Sequence, residues 1–555
     1  MTGAPIDQHD LIGSVLSCRI KHSRACAAGR ALACNLLQLL SLFALFMPCL
    51  AFGQSSPPQP NILLILADDL GYSDIGSYGG EIDTPNLDKL AAGGVRFTSF
   101  YNTARCWPTR GAIMAGYYPQ QIGMDPQKGS FPSWVKLLPH RLSQLGYRSY
   151  HSGKWHLGNA PRVVADGGFA RSYHLADGGR YFSPRIHFLD DKPLPPVDPN
   201  AGFYSTIAIA DHAISFLKEH AGKHAAAPFF LYVAFNAPHF PLQALPEDIA
   251  IYRDRYTSGW DVIRAQRFDR QKKLGITTGP LSKLEPQIIA PSGSEADLEI
   301  LGPGELRQAL PWASLTDEQK AFQADKFAIH AAMIDRMDRE IGRILEQVRA
   351  MNALKNTIVL FLSDNGGSAE IMVRGAGHDK TAPMGSSATH LGIGPGWSSA
   401  SNTLFRRHKI WVHEGGISTP LIVNWPQGLA AQGEIRHAVG HVIDLAPTLL
   451  ELAGGTAEAV EGAPPMPGKS LVPALAKDVA IDREYLYFNH AGNRALRMGD
   501  YKVVSAALDG NRWELYNLAA DRSEESSLNK MEPDRLRRMI DKWEAIKTEL
   551  ESQYH

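Results

Sequence analysis

Charged side chains are missing from a long stretch near the start of the chain. No aspartate, glutamate, lysine or arginine occurs over residues 31–67. Basic residues precede this stretch, the run 36–47 is nearly all apolar, and small residues flank Phe52 at its end. This order predicts a secretory signal over residues 1–53, and an uncleaved membrane anchor is the alternative. Both interpretations predict an exported protein, periplasmic or secreted, and cleavage would leave it without stable membrane association.

Cysteine is also scarce, with five residues in a chain of 555. Four of them lie in the predicted signal, which leaves Cys106 alone in the mature chain. A single cysteine excludes an internal disulfide in an exported protein. A buried, inert thiol is the ordinary fate of such a residue, but the sequence around Cys106 favours a chemical role.

An excess of either charge is absent as well. Lys+Arg number 56 and Asp+Glu number 57, for a formal net charge of −1, and 44% of the residues are hydrophobic. This balance excludes a disordered chain and a nucleic-acid binder that works through bulk positive charge. We therefore expect an ordinary globular protein with no nucleic-acid partner.

Short apolar runs alternate with amphipathic helical stretches through most of the chain. The runs cover residues 61–67, 228–235, 357–362 and 420–425, and helical periodicity covers residues 134–145, 204–219, 318–351 and 444–452. This alternation predicts an α/β fold in which a large, mainly parallel or mixed sheet is sandwiched by helices. Sites in such sheets form at the carboxyl ends of strands.

Other parts of the chain lack this pattern. Residues 161–202 and 248–315 show little periodicity, and we interpret them as excursions from the core that either line a pocket or are solvated loops. After about residue 477, short alternating segments and a charged helix predict a smaller α+β unit with an antiparallel sheet. The predicted organisation is a signal over 1–53, a linker over 54–59, a main domain over 60–476 and a carboxyl-terminal subdomain over 477–555.

A pair of residues with oxygen-bearing side chains follows each of two apolar runs. Asp68 and Asp69 come directly after the first, and Asp364 and Asn365 follow the run at 357–362. Three carboxylates and an amide gathered at two strand ends would repel one another without a cation, and their oxygens suit Ca²⁺ or Mg²⁺. Turn and cap chemistry is the alternative for either pair alone.

The lone cysteine begins the motif Cys106-Trp107-Pro108-Thr109-Arg110-Gly111. A thiol near a cation on the first turn of a helix has a lowered pKa, so a thiolate nucleophile is one interpretation. The pattern C-x-P-x-R-G, however, is the core of the sulfatase signature. The chain resembles the arylsulfatase-type, formylglycine-dependent sulfatases of the alkaline phosphatase superfamily, which implies an alkaline phosphatase-like fold. Trp107 stands where the family commonly has a small polar residue.

The resemblance covers nearly the whole mature chain. Further motifs in family order are Asp68-Asp69-Leu70-Gly71-Tyr72, Thr84-Pro85-Asn86-Leu87-Asp88, Gly153-Lys154-Trp155-His156-Leu157-Gly158, Ala237-Pro238-His239, Ser363-Asp364-Asn365-Gly366-Gly367, Lys409 ahead of Glu414-Gly415-Gly416, and Glu514-Leu515-Tyr516-Asn517-Leu518. Any one of these pieces is weak, and the ordered set is specific.

The resemblance implies a role for each matching residue. A maturation enzyme would oxidise Cys106 to formylglycine, whose hydrated aldehyde is the nucleophile. One divalent cation, Ca²⁺ in preference to Mg²⁺, would be bound by Asp68, Asp69, Asp364, Asn365 and the side chain at position 106. Arg110 would hold the formylglycine, Lys154 and Lys409 would bind sulfate, His156 would contact the gem-diol and take its proton, and His239 would protonate the leaving oxygen.

The implied activity is hydrolysis of an aryl or carbohydrate sulfate monoester to an alcohol and inorganic sulfate, with a sulfated small molecule or glycan as substrate. One alternative is a phosphodiesterase or phosphonate monoester hydrolase that uses the same site. The other is an inactive protein that binds sulfated glycans. The aromatic residues Tyr181, Phe182, Trp260 and Trp312 could stack on a substrate ring, although packing is the more usual role of such residues.

Overall fold

A computed structural model of the chain describes residues 59–126, 129–289, 293–375, 377–458 and 460–554. The predicted signal over 1–53 and nearly all of the predicted linker lie outside the described residues. Within the described part, no helix has both the length and the apolar composition needed to cross a bilayer.

A large mixed sheet forms the centre of the molecule. Its strands are β1 (Asn61–Ala67), β2 (Val95–Tyr101), β3 (Arg148–Gly153), β4 (Arg171–Leu175), β5 (His187–Leu189), β6 (Lys192–Pro193), β7 (Phe229–Ala234), β8 (Thr357–Ser363), β9 (Ser418–Asn424) and β10 (Glu434–His441). Their order is β10-β2-β9-β8-β1-β7-β3-β4-β5-β6. The five strands from β8 to β4 are all parallel, while β9 runs antiparallel to both of its neighbours. The predicted α/β fold with a mainly parallel or mixed sheet is confirmed.

Helices cover both faces of this sheet. They are α1 (Pro85–Ala92), α2 (Cys106–Ala115), α3 (Leu138–Ser143), α4 (Ser205–Lys223), α5 (Pro246–Tyr252), α6 (Gly259–Lys273), α7 (Glu295–Leu301), α8 (Asp317–Ala350), α9 (Gly394–Ser401), α10 (Glu414–Ile417), α11 (Leu445–Leu452), α12 (Val472–Ala476) and α13 (Pro533–Ser552). Successive residues of β1 point to opposite faces, so Leu63 and Ile65 join one core while Ile62 and Leu64 join the other. A strand buried on both faces has to be apolar, as β1 is from Ile62 to Ala67.

The carboxyl-terminal segment forms a second, smaller sheet. Strands β11 (Leu486–His490), β12 (Asn493–Met498), β13 (Tyr501–Ser505) and β14 (Trp513–Asn517) pair antiparallel in sequence order. Trp543 and Ile546 of α13 pack into the core on one face of the large sheet. The predicted α+β subdomain on a short antiparallel sheet is confirmed.

Two sequence interpretations are corrected by the structure. Residues 161–202, expected to lie outside the core, contribute β4, β5 and β6 to the main sheet. These strands are two to five residues long, too short to show a clear alternation of polar and apolar side chains. Residues 248–315 contain α6 and α7, and α6 has a polar composition that hides its helical periodicity.

Candidate active site

The acidic pairs meet at one edge of the large sheet. β1 and β8 are parallel neighbours with Ala67 opposite Ser363, so the residues that follow them emerge side by side. The amide of Asp69 donates to Oδ1 of Asp364 at 3.3 Å, and Nδ2 of Asn365 donates to Oδ1 of Asp69 at 2.6 Å. All four side chains are buried. The register of two strands thus brings together groups almost 300 residues apart.

Arg110 stabilises this concentration of negative charge. The guanidinium donates twice to Oδ2 of Asp364, at 3.0 and 2.7 Å, and lies 3.5 Å from Oδ2 of Asp68. Burial nevertheless raises the pKa of Asp364 to about 7, and the nearby carboxylate of Asp68 adds to this rise. Asp68 itself has its pKa lowered, because Lys154 and other neighbouring cations outweigh the effect of its burial.

The arrangement of oxygen atoms fits a hard divalent cation. Oδ1 of Asp68 and Oδ1 of Asn365 are both buried without a hydrogen-bond partner. Ligand atoms of Asp68, Cys106 and Asp364 lie within 4.8 Å of one another, and so do those of Asp68, Asp69 and His239. Unpartnered buried oxygens are costly unless something binds them, and carboxylate and amide oxygens are what Ca²⁺ and Mg²⁺ prefer. This cluster could therefore hold a metal ion.

Cys106 begins α2 and lies buried against the acidic cluster. Burial raises the pKa of its thiol above the ordinary value, and the carboxylate of Asp68 raises it further despite the opposing effect of Lys154. The position of Cys106 at the start of α2, which would lower the pKa of its thiol, does not compensate for these effects. A thiolate nucleophile, the first interpretation of this residue, is therefore disfavoured by its surroundings.

Two lysines flank the cluster. Lys154 follows β3 and donates to Oδ2 of Asp68. It reaches this position because Gly153 packs tightly on β7, where an added Cβ would lie 2.0 Å from the carbonyl oxygen of Ala234. Lys409 is buried and lies 2.9 Å from both Asp69 and Glu370. These acidic partners keep both ammonium groups charged, since they raise the pKa of each lysine although burial opposes the rise.

Two histidines complete the predicted set. Nε2 of His239 lies 3.6 Å from Oδ2 of Asp69, and burial lowers the pKa of this imidazole while Asp69 opposes the change. The ring of His156 lies 6.0 Å from that of Trp107, in an edge-to-face arrangement. His156 and Asp69 both adopt left-handed backbone conformations, with φ of 61° and 66°. This conformation is uncommon in residues other than glycine, and strained residues of this kind are often found at active sites.

All of the residues predicted for the site gather in this region, whereas two of the four predicted aromatic contacts lie elsewhere. Trp260 and Trp312 pack against each other in the core, with ring centroids 4.8 Å apart. Tyr181 is fully buried, and its hydroxyl donates to the carbonyl oxygen of His239 at 2.7 Å. Of the four aromatic candidates only Phe182 borders a cavity next to the site. The local sequence does not show whether an aromatic side chain packs in the core or faces a cavity.

Glu370 is a site residue that the sequence did not single out. It is buried, and its carboxylate lies within ion-pair distance of Lys409, Arg105 and Arg374. The residue lies seven positions after the end of β8, in a segment without secondary structure. No motif marks it, and only the fold places it beside Lys409.

A groove opens over the site. One cavity of about 540 Å³ is lined by Lys154, His156 and His174, among others, and a second of about 280 Å³ is lined by Phe182 and His390, among others. The two share Gly179, His239 and Arg374. The larger cavity falls within the range of about 300–1,000 Å³ that is usual for ligand sites, and the smaller one lies just below it.

Comparisons with known proteins agree on one family. The family model described as Sulfatase matches residues 60–455, and the one described as N-sulphoglucosamine sulphohydrolase, C-terminal, matches residues 404–551. An uncharacterized sulfatase of Schizosaccharomyces pombe is 32% identical over 554 residues, which cover 88% of this chain and 94% of the relative. An arylsulfatase of Klebsiella aerogenes is 31% identical over 438 residues, which cover 71% of this chain and 87% of the relative.

Solved structures share the fold. The crystal structure of Ps i-CgsB in complex with k-i-k-neocarrahexaose superimposes with a TM-score of 0.63 at 24% identity, over 88% of this chain and 93% of that one. The structure of BT4656 in complex with its substrate D-glucosamine-2-N,6-O-disulfate gives a TM-score of 0.64 at 21% identity, over 89% of this chain and 98% of that one.

Proposed function

The chain belongs to the sulfatase family and is a sulfate ester hydrolase, and we propose that it acts through a formylglycine formed from Cys106 next to a bound divalent cation. The observation that carries this proposal is the convergence of Cys106 with Asp68 and Asp364. The substrate we propose is an aryl or carbohydrate sulfate monoester, which is released as an alcohol and inorganic sulfate.

The cation would be held by Asp68, Asp69, Asp364, Asn365 and the side chain at position 106. When bound, it would polarise the sulfate and lower the pKa of the hydrated aldehyde. Ca²⁺ is our first choice over Mg²⁺, because a buried set of five protein ligands leaves little room for the waters that Mg²⁺ usually retains. Arg110 would keep Asp364 in its charged form and in place.

The remaining residues would position the ester and move protons. Lys154 and Lys409 flank the acidic cluster, so their ammonium groups would bind sulfate oxygens. They would stabilise the negative charge on these oxygens during sulfuryl transfer. The bond from sulfur to the leaving oxygen breaks as a new bond forms to the oxygen on position 106. His239 would give its proton to the leaving oxygen. His156 would then take the proton of the remaining hydroxyl on position 106, so that the carbon–oxygen bond to sulfate breaks and the aldehyde re-forms. Addition of water to this aldehyde would restore the hydrated nucleophile.

Neither alternative gains support from the site. A phosphodiesterase or phosphonate hydrolase would use the same groups, and no side chain here selects phosphorus over sulfur. Burying carboxylates, lysines and histidines together around Cys106 is costly. A protein that only binds a ligand would not need this full set of groups. Sulfate ester hydrolysis therefore remains the function that the site supports best.

We also propose that the protein is exported. The charge-free stretch within residues 1–67, with its basic start and small-residue end, supports a signal that directs the protein to the periplasm or the medium. A maturation enzyme in the same host would then act on Cys106 as part of this route. Residues 1–53 lie outside the described part of the chain.

Mass spectrometry of the peptide that carries position 106 tests the proposal. Protein should be made in a host that has a formylglycine-generating system, and a loss of about 18 Da relative to cysteine is expected, a change that ordinary thiol oxidation cannot produce. The same preparation should hydrolyse 4-nitrophenyl sulfate, and a Cys106→Ala variant should not. An unmodified thiol in an active preparation would overturn the formylglycine mechanism. Absence of turnover of both 4-nitrophenyl sulfate and a carbohydrate sulfate, despite the modification, would overturn the substrate assignment.

A further inference from the structure

Three cations near the site share a single carboxylate. A carboxylate oxygen of Glu370 lies 2.9 Å from Nζ of Lys409, and the other lies 3.6 Å from a terminal nitrogen of Arg105 and 4.0 Å from one of Arg374. Its side chain is 3% exposed, and Lys409 and Arg105 hold its pKa below the ordinary range although burial would raise it. One carboxylate balances one of these charges, and Asp69 balances that of Lys409. A positive charge is therefore left over at the mouth of the site.

Arg374 carries that charge into the groove. Its side chain is 53% exposed, and Glu370 is its one ionic contact within the described residues. The guanidinium lies over the ring of Phe240, 5.3 Å from the centroid. Phe240 in turn stacks on His239 at 4.5 Å. A cation–π contact of this kind restricts an exposed arginine, and Arg374 lines the same two cavities as His239, the residue that would protonate the leaving oxygen.

The other cations of the groove are already neutralised. Lys154 contacts Asp68, and Arg180 forms an ion pair with Asp177 at 3.2 Å. Arg374 borders both cavities of the groove, so a ligand that fills either one passes within its reach. Arginine binds carboxylates and sulfates in a planar, bidentate manner, which suits it to hold an anionic substituent.

We propose that Arg374 forms a second anion-binding subsite, and that the substrate is a sulfated saccharide with another anionic group, a sulfate or a carboxylate, beside the scissile ester. This inference rests on the proposed function, since it places the scissile sulfate at Cys106 and Lys409. The two cavities that His239 lines have volumes of about 540 and 280 Å³, which gives room for a saccharide. Arg105, which lies over the ring of Trp107, adds to the positive potential of the subsite.

Binding measurements test the subsite separately from turnover. Calorimetry in a Cys106→Ala background with Ca²⁺ present would compare D-glucosamine-2-N,6-O-disulfate with N-acetyl-D-glucosamine 6-sulfate, which differ in the charge of one substituent. We expect the disulfate to bind about tenfold more tightly, the ratio that one charge-assisted hydrogen bond gives. Arg374→Gln should bring that ratio close to one, and Arg374→Lys should restore part of it.

Arg537→Gln serves as the matched control, because Arg537 is exposed on α13 and borders neither cavity. It should keep the parent ratio. A disulfate that binds no more tightly than the monosulfate, or an Arg374→Gln variant that weakens both probes equally, would overturn the subsite. Failure of the proposed function would show differently, as absence of turnover of both 4-nitrophenyl sulfate and N-acetyl-D-glucosamine 6-sulfate by protein that retains Cys106 and carries the modification.

Discussion

Arg110 donates from Nε and from a terminal nitrogen to the same oxygen of Asp364, at 3.0 and 2.7 Å. Both side chains are fully buried, and the same guanidinium also donates to the carbonyl oxygen of Lys154 at 2.7 Å. This one side chain therefore links the helix that begins at Cys106, the strand end that carries Asp364 and the loop that carries Lys154. Its loss would affect the charge balance of the site and the stability of the fold together.

Replacing Arg110 by glutamine should strongly destabilise the protein. The change leaves the buried carboxylate of Asp364 without its cation, and removing one partner of a buried ion pair costs about 3–5 kcal/mol. Urea denaturation would measure the loss. Arg162→Gln is the control, since Arg162 pairs with Asp166 at the surface and its side chain is 66% exposed. The control should leave the unfolding midpoint unchanged, and equal midpoints for Arg110→Gln and the parent would contradict the prediction.

Removing divalent cations should lower both stability and activity. A bound cation stabilises the folded state by RT ln(1 + [L]/Kd), which is about 2.7 kcal/mol when its concentration is a hundred times Kd. Thermal unfolding with a chelator, and then with Ca²⁺ or Mg²⁺ restored, would measure this effect, and Ca²⁺ should restore more. The Asp364→Asn variant should lose the response, whereas Asp166→Asn at the surface should keep it. Identical unfolding with chelator and with Ca²⁺ would argue against a metal at this site.

The need for His239 should depend on the leaving group. A general acid contributes about 10²–10⁴ in rate when the leaving oxygen is a strong base, and much less when it is not. We therefore expect His239→Asn to slow an alkyl sulfate by a factor in that range and 4-nitrophenyl sulfate far less. Because the acid must be protonated, kcat for the alkyl ester should fall as pH rises through the pKa of His239, which burial lowers. Equal losses for both esters would exclude this role.

Stability should fall in acid because buried histidines cannot take up protons. Burial and the neighbouring Arg407 lower the pKa of His408 to about 3, and burial also lowers that of His441 to about 3. Between pH 3 and the unfolded-state pKa of about 6.5, the unfolded chain binds these protons and the folded chain does not, so stability rises with pH. Replacing His408 by glutamine should reduce this slope by about 1.4 kcal/mol per pH unit. Denaturation curves at several pH values in this range would measure it, and an unchanged slope would contradict the prediction.

The sequence alone was sufficient wherever a signal is local. The apolar run of β1 predicted a buried strand, because the side chains from Ile62 to Ala67 all meet a core. The polar residues after β1 and β8 were expected to lie together because parallel strands end at the same edge of a sheet, and the cation that they would bind stays a prediction. The motif at Cys106 predicted the family, which the comparisons confirmed.

Tertiary structure decided what depends on neighbours that are distant in sequence. Strands β4 to β6 are short, and their hydrogen-bond partners in the sheet, more than their composition, make them strands. Burial among carboxylates raises the pKa of Cys106, although its position at a helix start suggested the reverse. Glu370 gains its importance from Lys409, Arg105 and Arg374, three cations that only the folded chain brings to one carboxylate. A local pattern specifies which groups are available, and the electrostatic environment that determines their chemistry arises only once the strands are in register.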